Sequence, residues 1–407
     1  MDVQNAKGQS ASAASRPRRV LVVYGTRPEA IKMAPLIQAL RSQTDVHVKT
    51  AVTGQHRDML DGVNQVFGLV PDFDMGVFSP GQSLNELSAR VITGTDATLA
   101  QWTPDVVVIQ GDTTTACMVA IASFMRRVQV VHLEAGLRSH DILSPFPEEA
   151  NRKLAAQVSA LHLAPTERAR ANLVGEGIHP EGVVVTGNTV IDALLQATRK
   201  SVVFSDPRVA EAVESGRPLI VLTMHRRENL GEPMGRVAEA VARLAREYPE
   251  ARLIFPVHSN PQILATFAPV LHGLNNVVLT KPLDYLEFVH LQRAATLIMT
   301  DSGGVQEEAP SLGTPVLVLR DTTERPEAIE WGTARLVGTD GASLYEEASR
   351  LLDDQVAYES MARASNPYGD GQAARRAVAA ILELLGVGRR LPDFAPTRAE
   401  APGDPLV

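Results

Sequence analysis

Three carboxylates in the first half of the chain stand where proton chemistry could be done. Asp112 follows a glycine in Gln110-Gly-Asp-Thr-Thr-Thr115, Glu134 follows His132-Leu133, and Glu148 lies in Ser144-Pro-Phe-Pro-Glu-Glu-Ala-Asn-Arg152. Each alone reads equally as a helix cap or a surface charge. Brought to one edge they would push one another's pKa apart, which makes an acid and a base from one residue type. In the second half, His225 with Arg226 and Arg227 beside it is suited to stabilise a departing phosphate. Thr300-Asp-Ser-Gly-Gly304 precedes a helix predicted over 305–312, so Ser302, Gly303 and Gly304 read as an ordinary turn or as a phosphate cradle lacking a Walker lysine. Glu307 and Glu308 follow, where a carboxylate can accept from a pair of ribose hydroxyls, and Arg320 and Arg325 reach the same edge. Arg27, beside Gly25, reads as a ligand group, and Lys32 reads either as one or as part of a solvated helix face.

Such groups converge only if the elements between them line up. Apolar runs at 20–24, 46–52, 105–109, 128–133, 161–164 and 183–185 alternate with helical patterns, and a second series follows at 219–222, 253–257, 277–279, 297–299 and 316–319. This pattern predicts an α/β chain of two doubly wound Rossmann-like domains with an inter-domain cleft, over 20–190 and 191–372. Ligands of such sheets bind beyond the carboxyl ends of the strands, where the groups named above stand. Residues 1–19 and 389–407 read as a disordered and a loose tail.

With 407 residues there is enough chain for two full cores, and 44% hydrophobic with 21% charged residues is a globular composition. A net charge of −8 argues against nucleic acid or an anionic membrane as a standing partner. Cys117 is the sole cysteine, which leaves no internal disulfide and no cysteine-based metal site. Histidines do not fall at zinc spacing, and Asp72-Phe-Asp74 sits alone in a region read as loop, so no metal is implied. Nor is there a G-x-G-x-x-G after a strand, so no tightly held cofactor is expected. No apolar run nears the ~20 residues of a membrane span, and residues 1–19 lack the apolar core of a secretory signal. A cytoplasmic enzyme is the expectation.

Several stretches together are more specific than any one of them. GTRPEAIKMAP (Gly25–Pro35), QGDTTT (Gln110–Thr115), HLEAGLRS (His132–Ser139), PEEANR (Pro147–Arg152), MHRREN (Met224–Asn229) and DSGGVQEEAPSLGTPVLVLRDTTERPE (Asp301–Glu327) resemble the non-hydrolysing UDP-N-acetylglucosamine 2-epimerases of bacteria. The resemblance runs from about Val20 to about Leu385 and implies a glycosyltransferase-B fold. The final helix (373–388) would pack back onto the first domain.

The resemblance also implies a reaction. UDP-GlcNAc and UDP-ManNAc would interconvert by elimination of UDP to 2-acetamidoglucal and its re-addition. Asp112, Glu134 and Glu148 would handle the C2 proton, in an order the sequence leaves open. His225 and Arg27 would stabilise the leaving UDP, and Ser302, Gly303 and Gly304 would cradle phosphate. Glu308 would hold the ribose, Arg325 the phosphate side and Phe288 the uracil region, with Lys32 on the substrate side. A homodimer is implied as well. Some members hold a second, activating UDP-GlcNAc; the matching positions are Gln55, Arg226 and His258, with Glu148 touching both ligands. Asp58 and Ser79-Pro80-Gly81 depart from that pattern and imply shallow activation. A hydrolysing epimerase, a glycosyltransferase of the same fold and a nucleotide-sugar sensor are the rivals.

Overall fold

The computed structural model describes residues 16–54, 57–79 and 81–397. Seven strands form the first sheet: β1 (Arg18–Tyr24), β2 (Val46–Val52), β3 (Phe73–Asp74), β4 (Val106–Gln110), β5 (Gln129–Leu133), β6 (Leu161–Ala164) and β7 (Val183–Val185). Six form the second: β8 (Leu219–Thr223), β9 (Arg252–Pro256), β10 (Val277–Thr280), β11 (Leu297–Thr300), β12 (Val316–Val318) and β13 (Ala334–Leu336). Their orders are β3-β2-β1-β4-β5-β6-β7 and β10-β9-β8-β11-β12-β13. Every pairing is parallel, the arrangement the alternating runs predict. Both sheets reverse winding next to their first strand, between β1 and β4 and between β8 and β11, and a ligand crevice opens at each such point.

Burial on both faces explains the unbroken apolar runs. In β1, Val20, Val22 and Tyr24 pack with Met33, Ile37 and Leu40 of the helix Arg27–Arg41, while Leu21 and Val23 face Val91, Leu99 and Ala120. That helix runs through Pro35. The helix Ala373–Leu384 adds Ala377, Val378 and Ile381 to the first cluster, so this late helix returns to the first sheet. The helix Thr189–Ala197 joins the sheets: Val190 and Ile191 pack on the first core, and Leu194 and Ala197 pack with Val289 of the second half.

The structure corrects the sequence reading at the edges. Arg18 and Arg19 belong to β1 rather than to a tail, with their N–H groups donated to Asp45 O at 2.8 Å and Asp105 Oδ2 at 2.7 Å. The loose tail predicted from 389 is docked as far as Phe394, which is buried and donates its N–H to the Val185 carbonyl at 2.7 Å. Asp393 pairs with Arg170 at 3.2 Å. Phe73-Asp74 is an edge strand rather than loop, and the Asp72 carboxylate accepts from Thr50 N at 2.8 Å. Finally, the helix predicted over 305–312 is an α-helix over Gly303–Glu308 followed by a 3-10 turn over Ala309–Leu312.

Candidate active site

At the first switch point the chain leaves β1 through Gly25. A Cβ there would lie 2.2 Å from Thr53 Oγ1 and 2.8 Å from Thr115 Oγ1, so only glycine lets the ends of β1, β2 and β4 close up. Glu29, in the first turn of the next helix, accepts from Gly25 N at 3.0 Å, Thr26 N at 2.7 Å and Thr113 Oγ1 at 2.7 Å, which ties the turns after β1 and β4 together. Gly111 follows β4 with φ +68°, a conformation costly for other residues, and the position of its Cβ would be 3.6 Å from Glu134 Oε2. Gly111, the residue before Asp112, therefore adjoins the Glu134 carboxylate.

The three carboxylates that sequence brings to this edge have very different company. Glu134, buried and itself at φ +59°, has both oxygens occupied. Lys32 Nζ lies 2.5 Å from Oε1 and 2.6 Å from Oε2, Asn188 Nδ2 donates to Oε1 at 2.8 Å, and Gln110 Nε2 donates to Oε2. Burial works to raise the Glu134 pKa, but the Lys32 charge and hydrogen bond, Arg325 and Asn188 outweigh it and hold the carboxyl below its usual range. Asp112 is half engaged: Arg152 Nε and Nη2 reach its Oδ2 at 2.8 and 2.6 Å, and Oδ1 accepts nothing among the described residues. Arg152 is held in turn by buried Glu149, whose Oε2 is 3.0 Å from Nη1. Glu148 opens the helix Glu148–Val158, one turn before the Asn151 and Arg152 that grip Asp112, and has no side-chain partner among the described residues.

At the second switch point Asp301, fully buried at the end of β11, organises the turn after β8. It accepts from His225 N at 3.0 Å, Arg226 N at 2.8 Å and Asn229 Nδ2 at 3.1 Å, and its Oδ1 is 3.1 Å from His225 Nδ1. Burial works to raise its pKa, but the His225 side chain and the backbone N–H groups of Arg226 and His225 hold it low. With Nδ1 committed to Asp301, Nε2 is the His225 nitrogen left for a ligand. Ser302 caps the helix Gly303–Glu308, and a Cβ at Gly303 would sit 3.8 Å from Arg325 Nη2 and 3.9 Å from Arg226 Nη2. Two guanidinium groups thus flank the expected cradle. Arg325 Nε is bonded to Glu307, and burial against that charge is outweighed by Glu307 and Glu134, raising the Arg325 pKa.

The remaining expected residues fall around this centre. Phe288 is half-buried on a cluster containing Leu291 and Val305. Glu308 accepts from Gln292 Nε2 at 2.9 Å, and burial, offset by that bond and reinforced by Glu307, pushes its pKa up to about 7. Arg27 is exposed and lines a groove of ≈ 800 Å³ with Val66 and Tyr285, and its charge works against the rise in the Glu308 pKa. The His258 and His225 rings stack at 5.9 Å, and Arg226 Nη2 is 3.9 Å from Glu324. Gln55 lies outside the described residues. A second cleft, of ≈ 690 Å³, has Arg138 and His140 on the first half and Asn229, Arg320 and Thr323 on the second.

Lys32 is not part of a solvated helix face: it is the partly buried counter-charge of Glu134. Sequence reasoning did not single out Gln110, Arg152, Asn188, Gln292 or Asp301 as site residues. Gln110, Asn188 and Asp301 stand at strand ends, a signal that was available. Gln292 and Arg152 lie within helices and carried none.

The family model for UDP-N-acetylglucosamine 2-epimerase matches residues 38–382. The UDP-N-acetylglucosamine 2-epimerase of Escherichia coli (strain K12) is 48% identical over 373 residues, which covers 90% of this chain and 98% of that protein. Among solved structures, a putative UDP-N-acetylglucosamine 2-epimerase from Listeria monocytogenes superposes with TM-score 0.88 at 43% identity, covering 93% of this chain and all (100%) of that one. The UDP-GlcNAc 2-epimerase from Neisseria meningitidis, solved bound to UDP-GlcNAc, gives TM-score 0.82 at 42% identity, with 90% of this chain and 100% of that one covered. The paired parallel sheets are the glycosyltransferase-B arrangement. A carboxylate-bearing edge opposite a cation-bearing one, on this fold and at this similarity, places the chain in the UDP-N-acetylglucosamine 2-epimerase family, as an isomerase.

Proposed function

We propose that the enzyme interconverts UDP-GlcNAc and UDP-ManNAc without hydrolysis, through elimination and re-addition of UDP. A carboxylate takes the C2 proton, the C2–H electron pair becomes the C1=C2 double bond of 2-acetamidoglucal, and the C1–O pair leaves with the β-phosphate. In the return step UDP adds to C1 and a second carboxylate protonates C2 on the other face. The observation that carries this reading is the graded partnering of the three carboxylates. Among the described residues Glu148 has no side-chain partner and Asp112 Oδ1 accepts nothing, which supports these two as the proton carriers. Glu134, filled by Lys32, Asn188 and Gln110, is the fixed charge that holds Lys32 on the substrate side. His225 Nε2, Arg27, Arg226 and the Ser302–Gly304 turn receive the departing diphosphate, Glu308 the ribose and Phe288 the uracil.

Incubation with UDP-GlcNAc, followed by chromatography of all products, tests the reading. UDP-ManNAc at a constant total of UDP-sugar is expected. Free ManNAc with stoichiometric UDP would make the enzyme a hydrolysing one, and sugar on an acceptor would make it a transferase. The stacking of His258 on His225 also supports a second, activating UDP-GlcNAc beside the first, bounded by Arg226 and His258. A lag in the reverse reaction from UDP-ManNAc, shortened by traces of UDP-GlcNAc, is its expected sign, and full initial rate without added UDP-GlcNAc would remove it.

A further inference from the structure

Asn188 lies where the chain crosses from the first sheet to the second, and every polar group of its side chain is used. Its Oδ1 accepts from Val190 N at 3.1 Å, capping the helix Thr189–Ala197. Its Nδ2 donates twice, to Glu134 Oε1 at 2.8 Å and to Glu307 Oε2 at 2.7 Å. The crossing is also where the chain returns: Asn188 N donates to the Tyr368 carbonyl at 2.6 Å, and a Cβ on Gly187 would lie 3.3 Å from Gly369 Cα.

The two carboxylates so joined belong to opposite halves. Glu134 follows β5 and pairs with Lys32; Glu307 lies in the helix after β11 and pairs with Arg325. Two buried carboxylates on one atom's hydrogens would otherwise repel or share a proton. An amide NH2 is the neutral group that can satisfy both at once, because it carries two hydrogens at a fixed angle. A lysine would satisfy both but add a third cation beside Lys32 and Arg325, and an aspartate would add a third anion.

We infer that Asn188 is a positioning residue of the epimerisation: its amide spans the crossing and holds Glu134, with Lys32, in register with the Glu307–Arg325 pair of the nucleotide half. This rests on the reaction proposed above. It makes the geometry of the proton-handling edge depend on the closed relation of the two sheets, since Glu134 has one of its four contacts through a residue that also grips the other half. Misplacement of a reacting constellation by about 1 Å costs on the order of 10²-fold in rate.

The test separates this role from helix capping. Asn188→Ser and Asn188→Asp both retain an oxygen that caps a helix, but serine is too short to span two carboxylates and aspartate has no hydrogens to donate. Each variant is compared with the parent for kcat, UDP affinity by calorimetry and thermal unfolding, and Asn188→Ser is also combined with Glu307→Gln. The expected result is a kcat lower by roughly 10–100-fold for Asn188→Ser, lower still for Asn188→Asp, with UDP affinity within about threefold. In the Glu307→Gln background, where only one anion remains to be held, Asn188→Ser should cost about tenfold less than it does alone, a coupling that independent sites do not show.

A kcat within threefold of the parent in both folded variants, or a loss from Asn188→Ser that is the same with and without Glu307→Gln, overturns the inference. Should Asn188→Asp fail to fold, the serine variant and its cycle decide alone. Should both fail to fold, the structural role of the amide is primary and the inference falls. If the parent itself produces no UDP-ManNAc, it is the functional reading that fails, independently of Asn188.

Discussion

The carboxyl edge of the first sheet and that of the second are both rich in acidic side chains, and they use them in opposite ways. On the second, the carboxylates that face the cations of the site are committed to them or to N–H groups. Asp301 takes three N–H donors and His225, Glu307 takes Arg325, and Glu324 sits 3.8 Å from Arg320 and 3.9 Å from Arg226. There the acids fix the positions of positive groups, as a diphosphate site needs. On the first edge commitment is graded among the described residues, from Glu134 with both oxygens filled, through Asp112 with one, to Glu148 with neither. A carboxylate can move a proton only from an oxygen that is free to take one. The same residue type therefore anchors cations on one edge and, in the reaction proposed above, carries protons on the other, and partner count rather than position in the sequence makes the difference.

The comparison breaks most visibly if the graded carboxylates prove equivalent. Glu148→Gln should lower kcat by ~10²–10⁴-fold, with thermal stability and UDP affinity close to the parent, because no partner is orphaned. Glu134→Gln should behave differently. It also lowers turnover, but it leaves the partly buried Lys32 without its counter-charge, and breaking one half of a fully buried pair costs about 3–5 kcal/mol, which is the upper bound here. Urea unfolding distinguishes the two. If Glu148→Gln is destabilised as much as Glu134→Gln, the grading is not real.

The second edge is sharpened by Arg325→Ala and Ser302→Ala. Both should weaken UDP binding by about tenfold or more, ~1.4 kcal/mol each, while kcat at saturation falls far less than in Glu148→Gln. Calorimetry with UDP and steady-state kinetics together check this. An unchanged UDP affinity in both would remove the nucleotide from this edge.

Much of the fold was legible because strands buried on both faces are written as unbroken apolar runs, as in Leu161–Ala164 and Val183–Val185, whose bounds agree between sequence and structure. Phe73-Asp74 and Ala334–Leu336 were not legible, since two or three residues at a sheet edge carry too little periodicity to be distinguished from loop. The docking of Phe394 on Val185 is a contact between residues more than two hundred positions apart, which local pattern does not encode. At the site the residue types were readable but their partners were not. Lys32 reads as solvated or ligand-binding until β5 brings Glu134 to it across a hundred residues. In the sequence Asn188 is only a polar residue shortly after an apolar run, and the return of both halves to one point reveals what its amide holds.

A smaller effect concerns pH. Glu308 is pushed up to about 7, and Asp192, buried under the first turn of the returning helix and offset by the Ala374 and Ala373 N–H groups, to about 6. A folded-state pKa above the unfolded value means that stability is full below the unfolded pKa and declines as pH rises to the folded one. The parent should therefore lose stability between about pH 4.5 and 7, by on the order of 1–3 kcal/mol from Glu308. Glu308→Gln should flatten that decline, leaving only the Asp192 part below about pH 6. Chemical unfolding at pH 5, 6 and 7 checks it, and an undiminished slope in the variant would place the effect elsewhere.

In the proposed reaction a proton leaves and returns at C2 on carboxylates of the first edge while UDP is held by the second. NMR of the reaction in heavy water reads this directly. Deuterium should appear at C2 of UDP-ManNAc and of recovered UDP-GlcNAc, and at no other carbon, with the total UDP-sugar unchanged. UDP-ManNAc formed with its original hydrogen at C2, or deuterium at C3 or C4, would contradict the account.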